Sequence, residues 1–78
     1  MATRIYKDII AITEEYLGPA AERFIDRLST YHLHKKSDEL TAKDVQKLTG
    51  WIKASMGLLT EDKLLVDNYV ERVMKLAG

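Results

Sequence analysis

Apolar residues recur at helical spacing along most of the chain, and each recurrence breaks where capping or turn-forming residues cluster. Ile5, Ile9, Ile12 and Tyr16 stand four, three and four residues apart, which puts them on one helical face. Tyr6, Ile10 and Leu17 widen that face, while Lys7, Asp8, Glu14 and Glu15 fall largely opposite. With Thr3 as N-cap, this spacing predicts a helix over 4–17. Gly18 suits the left-handed residue just past a helix end. Pro19 suits the first turn of the next helix, where its missing N–H breaks no bond.

A second helix is predicted over 19–35, with Ala21, Phe24, Ile25, Leu28 and Tyr31 inward and Glu22, Arg23, Asp26 and Arg27 outward. His32, His34, Lys35 and Lys36 gather at its far end, where cations interact favourably with the helix dipole. Ser37 is expected to cap a single turn that returns Leu40 to the core. Thr41-Ala42-Lys43-Asp44 reads as a capping box, with Asp in place of the usual Glu or Gln. It opens a third helix over 42–56, whose apolar face is Val45, Leu48, Ile52 and Met56, continuing to Leu59 and broadened by Trp51. Gly50 inside that helix costs about 1 kcal/mol relative to alanine, a cost that a close helix contact would explain. Gly57 is expected to end the helix. Thr60 then reads as the N-cap of a fourth helix over 61–76, with Glu61 and Asp62 in its first turn and Leu65, Tyr69, Val73 and Leu76 facing inward.

Connections this short make helices pack as antiparallel neighbours, so the pattern predicts an all-α, compact four-helix bundle forming one domain over 1–78. The Gly18-Pro19 corner leaves little slack and is expected to set a steep crossing between the first two helices. Seventy-eight residues leave no room for a second core and support only a small one. The absence of cysteine removes disulfides, thiolate metal sites and thiol nucleophiles. Twelve basic residues balance twelve acidic ones, so no net positive field draws nucleic acid. No apolar run is long enough for a membrane span or a signal-peptide core, and a cytoplasmic location is expected.

Tyr16-Leu17-Gly18-Pro19-Ala20-Ala21-Glu22-Arg23-Phe24, followed by Glu39-Leu40 and an amphipathic tail, resembles small helical domains of bacterial and archaeal signalling proteins. Those domains carry a Gly-Pro corner between two helices and are often appended to receiver or kinase modules. The resemblance implies a signalling adaptor without catalysis of its own and carries over no functional residue. Here the polar stretch at 35–44 is longer, Trp51 is additional, and the 78 residues themselves are expected to hold one domain alone.

Chemistry-bearing residues are few. His32 and His34 are two apart, which on a helix points them in nearly opposite directions rather than onto one metal; a frayed end joining them to Asp38 or Glu39 is the remaining arrangement. The carboxylate pairs Glu14-Glu15, Asp38-Glu39 and Glu61-Asp62 are adjacent in sequence and diverge, whereas acid–base catalysis needs convergence. Ser29, Ser37 and Ser55 lie in no nucleophile motif, and no phosphate-binding loop occurs. No catalytic residue, cofactor or metal is therefore expected. A helix-turn-helix through the third and fourth helices would place Glu61 and Asp62 against phosphates, which disfavours the alternative of a small DNA-binding regulator. Tyr31, Trp51 and Met56 are the candidates for a protein interface, since aromatic and Met side chains concentrate at interface centres. The broad apolar faces of the first and fourth helices favour a docked partner or a homodimer.

Overall fold

Thr3 begins the fold by tying two parts of the chain together. Its hydroxyl accepts the Tyr6 N–H at 3.1 Å, capping the first helix, and donates to the Leu40 carbonyl at 2.8 Å. Its own N–H donates to the Asp38 carbonyl at 2.9 Å. The computed structural model describes residues 3–77; Met1, Ala2 and Gly78, at the ends of the predicted domain, lie outside the described residues.

The architecture is all-α, with no strand among the described residues. Helix α1 spans Arg4–Leu17, α2 Ala21–Leu28, α3 Ala42–Leu59 and α4 Lys63–Leu76. Three of these are full helices, and the second is not. The predicted uniform helix over 19–35 is instead a 3₁₀ turn Gly18–Ala20, the eight-residue α2 and a π turn Ser29–Leu33. The π turn closes where His34 takes a left-handed conformation (φ 54°, ψ 39°) and donates its N–H to the Ser29 carbonyl. A non-glycine residue there accepts a conformation that L side chains seldom adopt. At the other end Gly18 has φ 60° and ψ −136°, outside the left-handed helical region and open essentially to glycine alone.

The capping box is present as predicted: the Asp44 N–H donates to the Thr41 hydroxyl at 3.3 Å, and the Thr41 N–H donates to the Asp44 carboxylate at 3.0 Å. Two other boundaries differ from expectation. Helix α3 runs on through Gly57 to Leu59, because a single helical glycine costs less than the backbone hydrogen bonds of the added turn return. Asp62, not Thr60, caps α4, accepting the Leu65 N–H at 3.1 Å, while Thr60 accepts the Asp62 N–H one step earlier. Ser37 opens the 3₁₀ turn Ser37–Glu39 without capping it. Its hydroxyl donates to the Asp26 carboxylate instead, and Leu40 is buried as expected.

Helix α4 packs along both α3 and α1, α1 packs on α2, and α2 meets α3 over a smaller contact. Ile9, Ile25, Leu40, Val45, Leu48, Ile52, Met56, Tyr69 and Val73 share the interior. Gly50 is exposed, and a Cβ added there would meet nothing within 4 Å, so no close helix contact explains it.

Candidate interaction surface

The polar side chains that hold the fold are mostly committed to one another, and this limits the chemistry the surface can perform. Between α1 and α4, Tyr69 is fully buried and its hydroxyl lies 2.7 Å from that of Thr13, which donates to the Ile9 carbonyl at 2.6 Å. With the Thr13 proton given to Ile9, Tyr69 is the donor to Thr13. Burial pushes the Tyr69 phenol up to about 12, against the opposing Thr13 hydrogen bond. The Tyr16 ring tilts against Tyr69 with centroids 4.9 Å apart.

Outside them, Arg72 grips Glu15 through both terminal guanidinium nitrogens, at 3.0 and 2.7 Å, and lies over the Tyr16 ring. The Arg72 hydrogen bonds hold the Glu15 carboxyl below its ordinary value, and Glu15 raises Arg72 in turn. Glu15 is thus no free carboxylate beside Glu14. At the other end Lys35 donates to Asp44 at 2.7 Å. Burial acts to raise the Asp44 carboxyl, but Lys35 and the Thr41 donors together keep it below the usual carboxylate range.

The candidate chemical groups fall apart in space. His34 ends the π turn, while the His32 ring stacks on Trp51 with centroids 4.0 Å apart and planes 8° from parallel. No group of three or more His, Cys, Asp or Glu side chains among the described residues is arranged to hold a metal. Ser29 is buried with its hydroxyl donating to the Ile25 carbonyl at 2.9 Å. Asp38 lies near Tyr6, whose phenol is raised first by burial and then by the charges of Asp26, Glu22 and Asp38.

The three interface candidates separate. Tyr31 is 69% exposed and Trp51 50% exposed, so both reach solvent. Met56 is buried among the core residues and offers nothing to a partner, because it lies on the α3 stripe with Val45, Leu48 and Ile52. Leu59, predicted to face inward, is 61% exposed, and its neighbour Leu58 is 89% exposed. The helix outruns the core that its first four turns pack against.

Those two leucines border a groove that the sequence pattern did not mark. Leu17, Ala20 and Phe24 line it from the corner, Leu59 and Leu58 from the end of α3, and Leu28 and Ser55 at its far side. Arg23 and Arg27 rim it one helical turn apart on α2, and neither makes an ion pair among the described residues. Like charges four apart on a helix repel by a few tenths of a kcal/mol, so this pair is available to an acidic group. The signal that would have found the groove was Leu58-Leu59 itself: two more leucines stand past Met56, the last buried residue of the α3 face.

Among the described residues no helix is long and apolar enough to cross a membrane. Set against protein-family models, curated proteins and solved structures, the chain matches none of them.

Proposed function

We propose that this chain is a non-catalytic protein-interaction or adaptor module, acting in the prokaryotic cytoplasm in signalling or regulation. The observation that carries the reading is the groove between α2 and the end of α3: apolar along its floor, open to water, and rimmed by two arginines without an ion pair among the described residues. Its pattern suits helix-in-groove recognition, in which an amphipathic helix lays apolar anchors into such a trough and rim charges set orientation. Pro19 and Gly18 govern how α2 leaves α1 and therefore how wide the trough stands. Tyr31 and Trp51 extend the exposed aromatic area beyond it. The acidic start of α4 weighs against that helix reading DNA.

A photo-crosslinking residue at Leu59, with the protein expressed in its native cells, tests the reading. A discrete adduct is expected that Arg23→Glu with Arg27→Glu removes, while the same probe at exposed Lys7 gives none. If Leu59 yields no adduct, the groove is not an interaction site.

A further inference from the structure

The outward face of α4 repeats the pattern of the groove with the opposite charge. Leu64, Asp67, Glu71 and Met74 follow one another at three, four and three residues and all are exposed. At about 100° per residue they fall within roughly 80° of one another, opposite the buried Val66, Tyr69 and Val73. The face therefore reads apolar, acidic, acidic, apolar. Along the groove, Ala20, Arg23 and Arg27 follow at three and four residues, with Leu58 beyond, and read apolar, basic, basic, apolar. Each charged pair is one turn apart, about 6 Å along its helix, so two carboxylates can meet two guanidiniums in register.

Resting on the interaction reading above, we propose that the groove's occupant is α4 of a second copy of this chain. Leu64 and Met74 would fill its apolar ends, with Asp67 and Glu71 against Arg27 and Arg23. Neither arginine and neither carboxylate has an ion-pair partner within its own chain among the described residues, so the contact requires none to be broken. The two surfaces differ, so the contact is heterologous: every copy offers one groove and one α4 face, and association proceeds head to tail. A balanced net charge does not oppose it, because the charge is segregated between faces rather than absent.

Sedimentation velocity over a concentration series, at low and at high salt, tests the proposal. The average mass should rise above the 8.9 kDa of one chain with concentration, and less so at high salt. The double variant Arg23→Glu with Arg27→Glu should associate at least about tenfold more weakly, as should Asp67→Lys with Glu71→Lys. Mixing the two variants should restore association, because each then meets a complementary face. All four side chains are exposed, and circular dichroism melts check that the variants remain folded. A wild-type chain that stays monomeric at every concentration overturns the proposal, and so does an association that the substitutions leave unchanged. A monomeric chain whose Leu59 probe still crosslinks another protein overturns the second-copy occupant alone and leaves the interaction module standing.

Discussion

Between α1 and α4 the chain buries Tyr69 against Thr13 and Tyr16 and closes the edge with the Arg72–Glu15 fork; between α2 and the end of α3 it leaves Leu58 and Leu59 in water beside Arg23 and Arg27. Both regions are helix–helix seams with aromatic and aliphatic side chains to bury. They differ in length of contact and in polar fastening. Helices α1 and α4 are each fourteen residues and run together, whereas α2 has eight and gives way to a π turn before it can cover α3. The two fourteen-residue helices close their seam, while the short α2 leaves the last turn of the longest helix, α3, uncovered.

The comparison breaks most readily at the core beneath both seams. Ile52→Ala, which empties a fully buried position on α3, should lower unfolding free energy by about 2–5 kcal/mol in denaturant titration. A domain this size has of the order of 4–12 kcal/mol in all, so the loss is a large fraction of the whole.

Alkaline titration addresses the closed seam alone. Tyr69 ionises near its ordinary 10.0 in the unfolded chain and at about 12 in the folded one. The unfolded state therefore loses the proton first. The contribution is whole below pH 10 and declines as pH rises to about 12, by about 2–3 kcal/mol in total. Tyr69→Phe should remove that part of the pH dependence, while at neutral pH it costs about 0.5–1.5 kcal/mol for the lost hydrogen bond. Thr13→Val should cost more at neutral pH than Tyr69→Phe, about 1–3 kcal/mol, since it strands the buried Tyr69 hydroxyl. The reverse order would show that Tyr69 finds another acceptor.

The open side should respond weakly. Gly50→Ala should raise stability by about 0.5–1 kcal/mol, because the new methyl group meets open space in mid-helix. Leu58→Ser should move the thermal midpoint least, within about 0.5 kcal/mol of wild type. A large loss there would mean that the groove belongs to the core.

What was legible in the sequence was short in range. Thr3, and Thr41 with Asp44, announce helix starts because cap and partner lie three residues apart. The faces of α1 and α4 follow from spacing alone. Thr13 is not legible from spacing, because a polar residue in a stripe signals the solvent side and its partner Tyr69 is 56 residues away. The Arg72–Glu15 fork has the same difficulty at a separation of 57. The expected second helix runs past the real α2 because His32, Lys35 and Lys36 look like a helix end whether the turn before them is α or π. Thr60 and Asp62 are both capping types, so the sequence leaves the start of α4 open between them, and the folded backbone uses them in series. Of the candidate surface, Trp51 is legible at the edge of its stripe; Tyr31, expected inward, is 69% exposed, and the groove exists only where α2 stops short.

The stack of His32 on Trp51 gives the molecule a built-in optical signal. Trp51 is the chain's single tryptophan, so its emission reports one place, the seating of the π turn on α3. If that turn lifts away by itself, fluorescence will change while the helical circular dichroism holds. If it unfolds with everything else, the two signals will follow one curve.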